Sequence, residues 1–272
     1  MDRDIFSIEG KVVAITGGLG QLGRQFARSL LARGGTVALL DLAGPLAQAS
    51  ELLGESAISD RLACVEADVT SRESLRAALS EIERRFGPPH GLVNAAGIDA
   101  PPGASAAENL AFEDYPEDAW DRVMDVNVKG VFLSCQVFGG AMAAAGRGSI
   151  VNISSIYGLV SPDQRIYEYR RQRGEAFHKP VSYSVSKSAL LNLTRYVATH
   201  WAGRGVRVNT VTFGGVFNGQ DDEFVSAYAE RTPMGRMARE DEYDGAVIFL
   251  LSDASSYMTG ANLVIDGGWT AW

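Results

Sequence analysis

Short runs of β-branched and aliphatic residues alternate along the chain with longer stretches whose apolar positions recur every three or four residues. The runs Lys11–Thr16, Thr36–Asp41, Arg61–Ala67, Gly91–Asn94, Ser149–Ile153, Val206–Val211 and Asn262–Ile265 predict strands. Helices are predicted near 21–34, 45–53, 71–86, 117–145, 181–203 and 239–252. The strand runs are apolar at consecutive rather than alternate positions, so both of their faces must be covered. With helices between them, this predicts an α/β fold in which a parallel sheet carries helices on both sides. Thr70, Ser71, Arg72 and Glu73 read as a capping box at the start of the third helix. Two segments break the alternation. Residues 98–116 read as a long loop, and 161–179, crowded with Arg and Tyr, as an insertion. Neither has the make-up of a second domain, so 1–272 is read as one.

Charge narrows the possible partners. The 272 residues carry 25 Lys and Arg against 33 Asp and Glu, a net charge of −8. That balance argues against a nucleic-acid or anionic-membrane binder, since a phosphate backbone recruits clustered positive charge. With 46% hydrophobic and 21% charged residues the chain has enough apolar matter for a core and is far from disordered composition. Cys64 and Cys135 lie in no CxxC pair and are read as small buried hydrophobes. The first ten residues hold acids and no long apolar run, which argues against a secretory signal. No stretch approaches the ~20 apolar residues of a membrane span, and the expected location is a reducing cytoplasm. His90, His178 and His200 lack metal-ligand spacing, so no metal site is expected.

The chemistry starts at the end of the first strand, where Gly17, Gly18, Gly20 and Gly23 precede a helical pattern. A strand, a glycine turn and a helix N-terminus let backbone amides approach a pyrophosphate closely. The second strand ends in Asp41, 21 residues beyond Gly20. A carboxylate there accepts hydrogen bonds from ribose hydroxyls and repels a 2′-phosphate, favouring NAD over NADP; the alternative is a turn former. Asp68, followed by Val69, reads equally as an adenine-edge contact or as a cap of the next helix. Asn94, Ala95, Ala96 and Gly97 let the backbone pass close beneath a bound dinucleotide, or simply pack closely.

Tyr183 and Lys187 stand at i and i+4 of a predicted helix and therefore share a face. A cation beside a phenol favours phenolate and lowers its pKa, which suits proton exchange with an alcohol or carbonyl. Ser155, the second hydroxyl at the end of the fifth strand, is placed to hold the reacting oxygen or else to cap the following turn. Asn127 is a polar residue in an otherwise apolar helix, either part of a proton path or satisfying a kink.

Taken in order, these elements resemble the short-chain dehydrogenase/reductase family, in its compact single-domain branch, from Lys11 to the Asp266, Gly267, Gly268 ending. The resemblance implies a Rossmann-type, doubly wound, seven-stranded parallel sheet and a nicotinamide cofactor, here NAD. It implies Tyr183 as acid/base, Lys187 as pKa tuner and nicotinamide-ribose anchor, Ser155 as the oxygen-binding group and Asn127 as relay. Cofactor contacts are implied at Gly17, Gly20, Gln21, Leu22, Asp41, Asp68, Val69, Asn94, Ala95, Ala96, Gly97, Tyr183, Lys187, Gly214 and Val216. A homo-oligomer, tetramer or dimer, is implied as well, with helix 131–145 suited equally to an interface or to the core.

Three departures carry information. The middle glycine, Gly20, stands one place earlier than in most of the compact branch; the spacing is typical of longer epimerase-like relatives, but the chain is too short for their extra domain. Thr212, Phe213, Gly214 and Gly215 replace a usual Pro-Gly, and Asn218 stands where Thr is common. Ser155 and Tyr183 are 28 residues apart, far more than in most relatives. The added segment brings Arg165, Tyr167, Tyr169, Arg170, Arg171, Arg173, His178 and Lys179 close to the reacting centre. Arg165, Arg170 and His178 are accordingly candidates to bind an anionic substrate group; the other reading is a solvated loop or subunit contact. Residues 98–102, the insertion and the tail from Trp269 to Trp272 are also similar to sugar-modifying members acting on flagellin and surface glycans, which implies a sugar or sugar-phosphate hydroxyl.

The expected function is NAD-dependent hydride transfer between the cofactor and a secondary alcohol or ketone. The glycine spacing keeps a sugar epimerase or dehydratase with bound NAD as an alternative. A non-catalytic dinucleotide-binding regulator would be marked by a broken Tyr/Lys/Ser set, and the set is intact.

Overall fold

The computed structural model describes residues 4–54, 60–99 and 110–272. Seven strands form one parallel sheet: β1 (Val12–Thr16), β2 (Thr36–Asp41), β3 (Leu62–Glu66), β4 (Gly91–Asn94), β5 (Gly148–Ser155), β6 (Val206–Phe213) and β7 (Asn262–Ile265). Their spatial order is β3-β2-β1-β4-β5-β6-β7. The chain therefore winds outward from β1 in one direction and from β4 in the other. Ligands in such sheets bind outside the carboxyl ends of the two strands where the order reverses, so the site must lie beyond Thr16 and Asn94.

Strand alternation explains why both faces are buried. Val12, Ala14, Ala38, Leu40, Leu92 and Ile150 point to one core, shared with Leu75, Phe138, Leu190 and Trp201. Their neighbours Val13, Ile15, Val37, Leu39, Val93 and Val151 point to the other, shared with Phe26, Leu30, Tyr243 and Leu250. The first core is covered by α4 (Arg72–Phe86), by a continuous helix over 117–144 called α5, and by α7 (Val181–Trp201); the second by α1 (Gln21–Ala32) and α9 (Asp244–Leu251). The expected seven-stranded, doubly wound α/β architecture is the one observed.

Several local expectations need correction. The helix expected over 45–53 is two short pieces, α2 (Ala43–Leu46) and α3 (Ala49–Leu53). The third long helix is capped not by Thr70 but by Ser71, whose side chain accepts from the Ser74 N–H; Thr70 instead donates to Asp68. Helix α5 contains two π-helical turns, Asp125–Lys129 and Cys135–Gly139; single π turns inside helices often mark functional sites, and the first of these carries Asn127. The insertion is ordered by a 3₁₀ turn, Gln164–Tyr167, followed by α6 (Glu168–Gln172). Helix α8 (Asp222–Arg231) was not anticipated at all. Of the loop expected over 98–116, residues 100–109 lie outside the described residues.

Insertion, α8 and C-terminal segment share a third cluster of Ile156, Tyr157, Ile166, Tyr167, Phe177, Tyr228, Met237 and Trp269. Its rings run in sequence, Tyr167 to Phe177 at 4.8 Å, Tyr167 to Phe224 at 5.5 Å, Phe224 to Tyr228 at 5.9 Å and Tyr228 to Trp269 at 4.3 Å. This aromatic wall stands over the carboxyl end of β5 and β6. Trp269 belongs to it, whereas Trp272 is exposed.

Candidate active site

Beyond β1 and β2 lies a cavity of about 710 Å³ lined by Gly17, Gly20, Asp41, Asp68, Val69 and Ala96, among others. Gly17 has φ +63°, and a Cβ there would come within 2.7 Å of the Ala96 backbone. A Cβ on Gly23 would lie 2.5 Å from the Gly17 carbonyl. The turn and the first turn of α1 thus pack backbone to backbone, which only glycine allows. Gly20 is the N-cap of α1 and offers no side chain to its amides, leaving them to face an anion.

Asp41 closes this end. One carboxylate oxygen accepts from the Leu19 N–H at 2.9 Å and the other from the Leu42 N–H at 2.9 Å. It is both the brace of the glycine turn and an acceptor at the cavity wall, because a carboxylate has lone pairs left after two hydrogen bonds. Asp68 accepts from the N–H and hydroxyl of Thr70 at 2.8 and 2.7 Å, bracing the turn that leads into α4 rather than capping the helix, and it also lines the cavity. Asn94 sits deeper than expected: it is 1% exposed and donates to Asn152 at 2.8 Å. It supports the floor, and Ala95, Ala96 and Gly97 form the surface. Gln21 turns away to donate to the Phe217 carbonyl at 3.0 Å, tying α1 to the loop after β6. These features fit a dinucleotide: open backbone amides at a helix start, a carboxylate at the ribose end, and a floor of small residues.

Ala95, Gly97 and Ile98 are shared with a second cavity of about 350 Å³, so the two form one trough. This second part is lined by Leu22, Ser155, Tyr183, Lys187, Gly214 and Val216, with Asp99 and Lys179. Consecutive residues of β5 point in opposite directions, which assigns the two serines. Ser154 turns inward and donates to the Lys187 carbonyl at 2.8 Å, and Ser155 is left to hydrogen-bond Tyr183. Lys187 is 6% exposed, donates to the Ile153 carbonyl at 2.9 Å, and holds its Nζ 5.8 Å from the Tyr183 ring centroid. Asn127 is fully buried. Its amide accepts from the Ile98 N–H at 2.8 Å and donates to the Ile98 carbonyl at 2.9 Å and to Ser186 at 3.0 Å. A Cβ on Gly97 would lie 3.3 Å from Lys187 Nζ and 3.4 Å from Asn127 Oδ1, so these two side chains meet beside Gly97 in the trough.

The electrostatics differ from the simple Tyr–Lys expectation. Burial pushes the Tyr183 phenol above its ordinary value, Asp99 pushes it further, and the Ser155 hydrogen bond pulls the other way. Burial drives Lys187 down to about 8, opposed by Asp99. Desolvation of the phenol by burial, with a nearby carboxylate, outweighs the help that a cation gives a phenolate in water.

The insertion's arginines do not converge on this trough. Arg165 clasps Asp163 through Nε at 2.9 Å and Nη2 at 2.8 Å, and its side chain is 81% exposed. Arg170 pairs with Glu175 at 2.6 Å and lies 4.2 Å over the Phe177 ring, Arg171 pairs with Glu168 and Arg173 with Glu223. His178 is not among the lining residues. The anion-binding expectation therefore finds no arginine at the cavity; the pairing acids were visible in the sequence, but not which cation each would meet. The insertion's contribution to the lining is instead Tyr167 and Lys179, which the sequence reading brought near the reacting centre without naming them as substrate contacts; Asp99, Tyr157, Phe224 and Tyr228 it left outside the site. The i, i+1, i+4 spacing of Phe224, Val225 and Tyr228 was the available signal for that part of the wall.

A family model described as enoyl-(acyl carrier protein) reductase matches residues 20–270. Galactitol 2-dehydrogenase (L-tagatose-forming) from Cereibacter sphaeroides is 36% identical, over 99% of this chain and 99% of its own length. D-threitol dehydrogenase from Mycolicibacterium smegmatis is 34% identical, over 97% and 95%. A short-chain dehydrogenase from Leptospira borgpetersenii, solved with bound NAD+, superposes with a TM-score of 0.84 at 32% identity, covering 99% of this chain and 97% of that one. A gluconate 5-dehydrogenase from Burkholderia cenocepacia, solved with NADP and tartrate, also gives 0.84, at 28% identity and over 99% and 98%. The chain belongs to the short-chain dehydrogenase/reductase family. It is an oxidoreductase that acts on the CH–OH group of small molecules and binds a nicotinamide cofactor. Among the described residues no helix is long and apolar enough to cross a membrane, and no cluster of three or more His, Cys, Asp or Glu gathers to hold a metal.

Proposed function

We propose that this protein is an NAD-dependent dehydrogenase of a neutral polyol or sugar, interconverting one secondary hydroxyl and its ketone. The observation that carries the reading is that Ser155, Tyr183 and Lys187 line one trough continuous with the dinucleotide cavity. The polyol relatives support the substrate class. NAD is favoured by Asp41, whose carboxylate faces the ribose end and would repel a 2′-phosphate. The paired arginines favour the solvated-loop reading of the insertion, and with it a neutral substrate over an anionic one.

A nicotinamide held in this trough would supply the hydride acceptor or donor. The chain supplies the rest. Ser155 holds the substrate oxygen and Tyr183 moves the proton on that same oxygen, taking it in oxidation and returning it in reduction. Lys187, anchored on Ile153, offers further donors to the ribose side of the trough. Asn127 keeps the loop after β4 in register beneath it. Leu22, Val216 and the aromatic wall keep water from the reacting oxygen. The proposed proton path from Lys187 through water to Asn127 starts at the convergence noted beside Gly97.

Cytoplasmic location is proposed from the two free thiols, Cys64 and Cys135. A homo-oligomer is proposed through the face of α5 and α7, where Phe132 is 40% and Tyr196 71% exposed beside a groove. The test of the activity is a screen for NADH formation over polyols, sugars and simple secondary alcohols, in parallel with NADP. Polyol oxidation faster with NAD supports the reading; activity confined to hydroxy acids or sugar phosphates, or faster with NADP, rejects it.

A further inference from the structure

The trough contains an ion pair that the four-residue catalytic set does not use. Lys179, from the insertion, pairs with Asp99, from the loop after β4, across 80 residues of sequence. Each partner is delivered by the same device. The Asn127 amide grips both backbone polar groups of Ile98, the residue before Asp99. The Gln164 amide grips both backbone groups of Lys179 itself, accepting from its N–H at 2.9 Å and donating to its carbonyl at 3.2 Å. Two unrelated segments are thus pinned so that their charged side chains meet beside the reacting centre. Both line the cavity that holds Ser155 and Tyr183. Lys179 Nζ lies 4.8 Å from the Tyr183 ring centroid, closer than Lys187 Nζ at 5.8 Å, and 5.9 Å from that of Tyr157.

A buried ion pair is poor evidence of stabilisation, because desolvation offsets much of the attraction. Lys179 is 11% and Asp99 34% exposed, so this one sits between wall and opening. An ammonium has three donors and a carboxylate about four acceptor sites, so the bond between them and the further interaction of Asp99 leave both with capacity for a ligand. A hydroxyl is the neutral group that gives a hydrogen bond to the carboxylate while taking one from the ammonium. An anion gains from Lys179 but is repelled by Asp99, and a simple alcohol has no second hydroxyl to offer.

We propose that Lys179 and Asp99 form a paired-charge subsite that binds a hydroxyl near the reacting carbinol of a neutral polyol and selects such substrates over simple secondary alcohols and hydroxy acids. The inference rests on the dehydrogenase reading and deepens it to a specificity determinant.

The experiment compares wild type, Lys179→Met, Asp99→Asn and the double variant. The first readout is the ratio of kcat/KM for D-threitol to that for cyclohexanol. Each single change should lower the ratio by about 10–100-fold, the equivalent of losing one charged hydrogen bond, mostly through KM for threitol. The double change should cost less than the product of the two, since they act as one unit. The ratio cancels any shared effect on Tyr183. The second readout is calorimetric binding of threitol to the same variants carrying Tyr183→Phe with NAD present, which reports the subsite without turnover. Threitol affinity should fall with either change. A ratio and an affinity both insensitive to Lys179 and Asp99 overturn the proposal, as does threitol that never binds. Cyclohexanol oxidation in that last case would leave the dehydrogenase reading standing, whereas threitol binding without turnover of any alcohol would sink the dehydrogenase reading alone.

Discussion

Asn127 holds Ile98 at both of its backbone polar groups, at 2.8 and 2.9 Å, from a π-helical turn within α5. Asn127→Ala leaves these part-buried groups without their protein partners. It should cost about 2–4 kcal/mol of stability and lower kcat/KM, as the loop carrying Gly97 and Asp99 loses its register. Denaturant melts with parallel kinetics check this. A loss under about 0.5 kcal/mol, the range of an ordinary surface change, would show that the loop is held by something else.

Asp41 braces the Leu19 N–H and lines the dinucleotide cavity, where the proposed reading has it meet the ribose. Asp41→Ala should weaken NAD binding about tenfold, the worth of one hydrogen bond to a charged group, and narrow the preference over NADP. Fluorescence titration with both reduced cofactors measures it. Unchanged discrimination would move the basis of cofactor choice away from Asp41.

The sheet was readable because its strands are apolar on consecutive positions, and all seven were placed to within two residues. The glycine turn, Asp41 and the Ser155, Tyr183 and Lys187 set were readable because their spacing is local to a turn, a strand end or a helix face. What escaped was non-local. Lys179 and Asp99 are ordinary charges until the fold joins them, and the arginines looked available because pairing with Asp163, Glu175 or Glu223 is decided by tertiary structure. Ser71 displaced Thr70 as cap because the Thr70 hydroxyl is taken by Asp68.

Proton transfer fixes the pH response. The phenol of Tyr183 is held above its ordinary value by burial and by Asp99, so the protonated form persists into alkaline solution. Alcohol oxidation, which needs phenolate, should rise with pH through the alkaline range while ketone reduction falls. Asp99→Asn removes an anion from beside the phenol and should move both limbs to lower pH. Profiles of kcat/KM in each direction provide the check; a shift to higher pH would contradict the assigned charge effect.

Lys187 is the stability cost of the site. Burial drops it to about 8 from 10.5, so between those values the unfolded chain binds more protons than the folded one. From this group, stability should rise with pH across that window, with the full cost present below pH 8. Lys187→Met should therefore match or exceed wild-type stability near neutral pH, by about 1–2 kcal/mol, while activity is lost. Melts at pH 7 and 10 give the comparison, and a variant less stable at both would refute this.

The most direct measurement is the rate of NADH formation from a polyol by wild type and by Tyr183→Phe. Both proteins should first be shown to melt alike and to bind the cofactor alike. The account predicts that removing this one hydroxyl lowers kcat by about 10²–10⁴-fold, the usual worth of a positioned acid/base, with cofactor affinity preserved. A phenylalanine variant that turns over polyol at a rate near wild type would contradict it.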